Sequence, residues 1–244
     1  MELPISIGSL VLEITRRCNM RCDHCMRGEA ESLDMNFEII DKLFESGIRF
    51  NNITFTGGEP ALFPQAIQYF VDRLKDTRRS IDHFYIKTNG KHESMKMATA
   101  LLELYFLSDN QEACTLDVSR DQFHEGYTDP ELYAGLRFYH ESNSDDAEED
   151  HYDNRQILSE GIAYENGFGV GVQKGSEFVF EEYDEETIDI EMVQVAANGN
   201  ICGQCDISFE REDDETYGNI LKKDVNEIIN DAYEVYLREM NEAA

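Results

Sequence analysis

Leu10-Val11-Leu12-Glu13-Ile14 is a short, mostly apolar run, and it predicts a buried strand with Cys18 and its neighbours on the loop leaving it. Asn36 is placed to cap a helix through Ile48, with Phe37, Ile40, Leu43, Phe44 and Ile48 at helical spacing. Asn52-Ile53-Thr54-Phe55 reads as a second strand that ends in Thr56-Gly57-Gly58-Glu59-Pro60. A helix from about Pro64 to Lys75 leads to a third strand, His83-Phe84-Tyr85-Ile86-Lys87, which stops at Thr88-Asn89-Gly90. Another helix, over about 92–107, precedes the strand Thr115-Leu116-Asp117-Val118-Ser119.

Strand and helix thus alternate four times with short connections, which predicts an α/β fold with parallel strands and right-handed crossovers. Chemistry in such folds collects at the carboxyl ends of the strands. The cysteines follow the first strand, Gly-Gly-Glu the second, Thr-Asn-Gly the third and Ser119 to His124 the fourth, so four segments are expected on one rim. After residue 140 the pattern loosens. Glu141 to Asp150 is polar and acidic, and reads as an exposed loop or frayed helix end. Glu177 to Phe180 and Ile188 to Ala197 read as strands, and Asn198-Gly199-Asn200 as a hairpin turn into Ile201-Cys202. Parallel alternation is expected to give way there to antiparallel hairpins, with a closing helix over about Val225 to Met240.

A length of 244 residues allows one large domain, or one domain with a small appendage. Composition is that of a globular protein, and 51 acidic against 21 basic side chains give a net charge of −30. Such a field repels phosphate backbones, so general nucleic-acid binding is disfavoured; it suits solubility, a salty habitat or a cationic partner. No stretch approaches the ~20 apolar residues of a membrane span, and Met1-Glu2-Leu3-Pro4 lacks the layout of a signal peptide. The expectation is no membrane and a cytoplasmic location.

Six cysteines stand at 18, 22, 25, 114, 202 and 205, five of them in two tight groups, a clustering that in a reducing compartment points to metal. Cys18, Cys22 and Cys25 put three thiolates within eight residues, one short of a closed four-thiolate shell. Two centres fit: zinc completed by His24 or a distant residue, or an iron-sulfur cubane with one iron open to another ligand. In Gly57-Gly58-Glu59-Pro60 the glycines permit close approach to backbone, and Glu59 supplies a carboxylate suited to an ammonium group.

Cys-x-x-x-Cys-x-x-Cys followed by Gly-Gly-Glu-Pro, in this order and spacing, resembles the radical S-adenosylmethionine (radical SAM) superfamily over about residues 10–125. The resemblance implies a partial (β/α)6 TIM-like barrel over 8–175, with a small C-terminal β-hairpin/helix extension over 176–244. It implies that Cys18, Cys22 and Cys25 bind three irons of a [4Fe-4S] cluster whose open iron takes SAM. Gly57, Gly58 and Glu59 would receive the methionine ammonium, and Pro60 would rigidify the turn. His24 stands where the family usually carries an aromatic ring over the adenine. Ser119 would bond the ribose, and Asn89 would line the same rim. The implied activity is reductive cleavage of SAM to a 5'-deoxyadenosyl radical that abstracts hydrogen from a substrate, with an external electron donor such as flavodoxin or ferredoxin.

Cys202-Gly203-Gln204-Cys205, followed by Tyr217-Gly218-Asn219-Ile220, is similar to the SPASM or shorter twitch extension, although with fewer cysteines. Three readings of the pair stand: a vestigial hairpin without metal, a two-cysteine contribution to an auxiliary cluster, and a redox or substrate-binding thiol pair. Cys114, on the fourth strand, reads as a buried apolar residue. The substrate is expected to be a peptide or protein side chain, with the acidic C-terminal half suiting a cationic one. A small molecule or nucleotide, and a non-catalytic iron-sulfur sensor or binding protein, are the alternatives.

Overall fold

The computed structural model describes residues 3–120, 123–124, 130–143, 157–169, 175–181 and 186–243. In chain order the elements are β1 (Ile5–Thr15), α1 (Phe37–Glu45), β2 (Arg49–Gly57), α2 (Pro64–Thr77), β3 (Phe84–Thr88), α3 (Met95–Leu107), β4 (Thr115–Arg120), α4 (Glu131–Ala134) and β5 (Tyr139–Asn143). There follow α5 (Gly161–Glu165), β6 (Phe180–Glu181), β7 (Ile188–Val195), β8 (Asn200–Cys202), α6 (Phe209–Asp214), β9 (Gly218–Asn219) and α7 (Val225–Ala243). The strands form one sheet in the order β5-β4-β3-β2-β1-β7-β8-β9, with β6 paired to β7. Pairings from β1 through β5 are parallel, and β7 joins the other edge of β1 in parallel register. The mixed α/β architecture with a parallel sheet is the partial TIM-like barrel expected from the sequence.

Period-two alternation decides what each face carries. Leu10, Leu12 and Ile14 of β1, Ile53 and Phe55 of β2, Phe84 and Ile86 of β3, and Leu116 and Val118 of β4 are buried in one core with Ile39, Leu43, Ile67, Phe70, Leu101 and Leu104 of the helices. Each fully buried side chain of this size contributes about 1.5–3 kcal/mol. Intervening positions such as Asn52, Thr54, Tyr85, Lys87, Asp117, Ser119, His140 and Ser142 leave the sheet's other face polar. Caps fix the helix starts: Asn36 Oδ1 accepts from Glu38 N at 3.0 Å, and Ser94 Oγ from Met97 N at 3.2 Å.

Two features differ from the pattern reading. Glu141 to Asn143 belong to β5 rather than to a loop; the strand's polar composition hid it, since His140 and Ser142 bond to Asp117 of β4 rather than enter the core. The rest of the acidic stretch, from 144 to 150, lies outside the described residues. The hairpin β7–β8 is antiparallel as expected, but β7 itself extends the parallel sheet through β1. The sheet therefore runs continuously across the expected division between residues 175 and 176. Cys114 is buried, as its position on the strand edge predicted. Among the described residues no helix is long and apolar enough to cross a membrane.

Candidate cluster and cofactor site

Cys18, Cys22 and Cys25 lie on the loop leaving the carboxyl end of β1, all three half-buried and none in a disulfide. Cys25 N donates to Cys22 O at 3.1 Å, and Met20 N to Cys18 Sγ at 3.4 Å, so the backbone curls around the first sulfur. The loop meets the ends of two other strands. Asn89, after β3, donates through Nδ2 to Asn19 Oδ1 at 2.8 Å, and His124, after β4, brings Nε2 to 4.0 Å from Cys22 Sγ. His24 stacks on Phe123 with ring centroids 4.0 Å apart and meets His124 edge-on at 5.5 Å. Three of the four expected rim segments thus touch through side chains.

The Gly-Gly-Glu-Pro segment completes the rim, for a physical reason that the sequence did not disclose. Gly58 N donates to Thr15 O and Glu59 N to Arg17 O, both at 2.8 Å, so the end of β2 presses on the start of the cysteine loop. A Cβ at Gly57 would collide with the Thr15 carbonyl oxygen and one at Gly58 with that of Arg17; Gly57 also holds φ at +148°. Space freed by the glycines is filled by this backbone. Glu59 is 1% exposed. Its carboxylate accepts from Ala61 N at 3.0 Å, Thr88 Oγ1 at 2.6 Å and Asn89 N at 2.9 Å, tying the turn at Pro60 to the end of β3. Burial raises its pKa against those three hydrogen bonds. Ser119 is buried on β4, two residues beyond Asp117.

An unanticipated network braces the loop from outside. Arg16 and Arg27 flank the cysteines, and both guanidiniums meet Glu13 and Glu212, carboxylates that are fully buried. The Phe209 ring lies against both, 4.5 Å from Arg16 Cζ and 4.7 Å from Arg27 Cζ. Gln194 of β7 donates to Glu212 at 2.5 Å, and Ala197 N to Glu13 at 3.1 Å. Burial alone would weaken both guanidiniums, but Asp213, Glu13 and Glu212 outweigh it for Arg16, and Glu13 and Glu212 for Arg27, raising both pKa values. Arg27 also donates to the carbonyls of Cys205 and Ile207. The C-terminal hairpin and α6 are thereby locked to the loop. The one sequence signal was Glu13 itself, a carboxylate inside an apolar strand.

Cys202 and Cys205 sit beside this network in unequal settings. Cys202 is buried with Sγ 3.7 Å from Glu212 O; burial, reinforced by the Glu212 charge, pushes its thiol up to about 12. Cys205 is half-buried.

The donor set suits an iron-sulfur cubane. Among the described residues no three His, Cys, Asp or Glu side chains converge as ligands of a single metal ion. A cubane takes each thiolate on a different iron, and three thiols on one loop supply that number of donors. Burial raises the Cys18 pKa, opposed by the hydrogen bond from Met20 N and reinforced by the Glu59 and Cys25 charges.

Residues 12–121 match the family model described as Radical SAM superfamily. Among curated proteins the chain is 32% identical over 99 residues to an uncharacterized protein of Methanocaldococcus jannaschii, covering 39% of this chain and 35% of that one. It is 34% identical over 101 residues to the tungsten-containing aldehyde ferredoxin oxidoreductase cofactor-modifying protein of Pyrococcus furiosus, covering 39% and 27%. It is 30% identical over 126 residues to the GTP 3',8-cyclase of Campylobacter fetus, covering 48% and 38%. The chain therefore spans about a third of the length of these relatives. Among solved structures, native anSMEcpe with bound AdoMet and Cp18Cys peptide superposes with a TM-score of 0.54 at 12% identity, over 92% of this chain and 80% of that one. BtrN in an open conformation gives 0.52 at 16% identity, over 94% and 83%. Both likenesses are of fold.

Proposed function

We propose that the protein is a radical SAM enzyme that abstracts hydrogen from a peptide, protein side chain or small molecule. The observation that carries this reading is the meeting of the Cys18, Cys22 and Cys25 loop with Asn89 and His124 at the carboxyl ends of β3 and β4. In this reading the three thiolates hold the cluster, and an external one-electron donor reduces it. Bound there and reduced, such a centre would supply the electron that splits SAM into methionine and a 5'-deoxyadenosyl radical. The chain's own part is placement and exclusion of water. Gly57, Gly58 and Pro60 set the wall beside the loop, Asn89 and Ser119 offer polar groups at the rim, and the stacked pair His24 and Phe123 forms an apolar side. Glu59 holds that wall through three donors and keeps about one of its roughly four acceptor sites for the methionine ammonium.

Cys202 and Cys205 are assigned no auxiliary cluster. A deeply buried, protonated thiol beside two buried carboxylates supports a packing role for Cys202. Residues 176–244 then serve as a brace for the loop.

Anaerobic reconstitution followed by incubation with SAM and dithionite tests the assignment. Expected are about four irons per chain, a cluster signal that changes on SAM addition, and formation of 5'-deoxyadenosine; Cys22→Ala abolishes all three. A reducible cluster that yields no 5'-deoxyadenosine would favour a sensor instead.

A further inference from the structure

α3 is apolar almost all round. Its inner face, with Met97, Ala98, Ala100, Leu101 and Leu104, is buried in the core. Its outer face carries Met95, Thr99, Leu102 and Phe106, four, three and four residues apart, which is the spacing of a heptad seam. Met95 is 65% exposed and Phe106 73%, with Leu102 exposed between them. A helix with apolar residues on every side is normally covered on every side, and this one is covered on its inner side alone.

Two details suit the outer face to burial. Thr99 Oγ1 donates to Met95 O at 2.8 Å, so the hydroxyl is bonded within its own helix and covering it strands no donor. The Phe106 ring meets Tyr105 edge-on with centroids 5.5 Å apart, which reduces the freedom it would lose on being covered.

Charge selects the occupant. Of the 13 residues of α3 only Lys96 and Glu103 are charged, one of each sign, in a chain of net charge −30. Two copies of such a chain repel over most of their surface, and on α3 they need not. Each charged residue directly follows a seam position, Lys96 after Met95 and Glu103 after Leu102, so both lie on one flank of the seam. When two such helices pack antiparallel about a two-fold axis, Met95 layers with Phe106 of the second copy and Thr99 with its Leu102. Lys96 then stands between these layers, and so does Glu103 of the second copy; the axis repeats the pair. A parallel pairing would bring neither charge to its opposite. Among the described residues Lys96 takes part in no ion pair, and Glu103 is bonded through Oε2 alone, to Lys75 Nζ at 2.6 Å and Gln68 Nε2 at 3.0 Å, which leaves Oε1 for a second lysine.

We propose that the outer face of α3 is a self-association surface, on which two copies of this chain pair as antiparallel helices flanked by two Lys96–Glu103 ion pairs. The 13-residue helix is roughly 20 Å long at about 1.5 Å per residue. One such helix per copy offers less than the ~800 Å² per partner of a standard interface, so the dimer is weak and concentration-dependent. Its formation rests on neither the cluster nor the radical SAM reading.

The test is sedimentation velocity of the full chain from about 1 to 200 µM, at about 0.3 M salt to screen the repulsion between copies. A monomer–dimer equilibrium is expected. Phe106→Glu should abolish the dimer and leave the melting temperature near that of the parent, since the ring is exposed. Lys96→Glu and Glu103→Lys each set like charges opposite one another at two places, and each should raise the dimer dissociation constant roughly tenfold. Mixed in equal amounts, these two variants should regain the parental affinity as a heterodimer, because opposite charges then meet at both places. Loss of the exposed Lys75–Glu103 pair within one chain would not be repaired by mixing, so the rescue reports the contact between copies. A monomer throughout, a dimer indifferent to Phe106→Glu, or variants that mixing does not rescue would each overturn the proposal. Species growing beyond a dimer would indicate a head-to-tail contact and overturn it as well.

Discussion

Arg16 and Arg27 share both of their buried carboxylates: Glu212 gives Oε1 to Arg16 and Oε2 to Arg27, while Glu13 meets Arg16 at 3.2 Å and Arg27 at 2.6 Å. Arg16 lies two residues before Cys18 and Arg27 two residues after Cys25. The two ends of the cysteine loop are thus held at a fixed separation by a pair of side chains, one from β1 and the other from α6. A buried pair of this kind contributes little net stability compared with an apolar packing, but breaking it strands a charge.

Glu212→Gln should therefore cost about 3–5 kcal/mol in denaturant unfolding, because Arg27 then shares the single buried carboxylate Glu13 with Arg16, whose other partners Glu31 and Asp213 are half exposed. The more telling measurement is local. In the cluster-free chain Cys18, Cys22 and Cys25 should be alkylated faster in the variant than in the parent under native conditions. Equal rates would show that the brace does not hold the loop.

The cysteine loop was legible in the sequence because its chemistry is local: three thiols within eight residues need no fold to be noticed. The brace was not. Arg16 and Glu212 are separated by 196 positions, and nothing in either neighbourhood reports the partner. The row of Lys87, Asp117 and His140 fell between these cases. Alternation showed Thr115, Asp117 and Ser119 on one face, but the faces do not reveal register, and register is what puts Lys87 and His140 on either side of Asp117. β5 escaped notice for the same reason, since its polar residues satisfy the next strand rather than the core.

Gly58→Ala should destabilise by about 1–3 kcal/mol, the usual cost of forced overpacking. The obstacle is the Arg17 carbonyl, a backbone atom that cannot rotate away, so the cysteine loop must move. Iron content after reconstitution should fall with stability. A variant that keeps full iron content would mean that the close approach of β2 does not place the loop.

Cys202 should resist iodoacetamide in the folded chain at pH 8, where Cys205 reacts, and peptide mass mapping reads the two separately. The sign follows from its raised pKa: the neutral thiol is favoured on folding, so this stabilisation is present below the ordinary thiol pKa and is lost as pH rises towards about 12. Alkylation at Cys202 should appear only as that limit is approached. Cys202→Ser should leave the iron content at its parent value. A drop of several irons per chain would instead place an auxiliary cluster there.

Glu59→Gln separates two roles for one carboxylate. If the side chain served only a ligand ammonium, the variant would bind SAM less tightly and unfold like the parent. The geometry requires more, because the Oε2 that accepts from Asn89 N is buried, and an amide –NH2 in its place would set donor against donor. Rotating the amide moves the same conflict to Thr88 Oγ1 and Ala61 N. Leaving a buried donor without an acceptor costs about 1–3 kcal/mol. Thermal unfolding of the metal-free chain should therefore drop in Glu59→Gln, with no SAM present. Loss of SAM affinity should accompany it, through displacement of Asn89 from the Asn19 side of the loop. An unchanged melting temperature with weakened SAM binding would return Glu59 to direct contact with the cofactor.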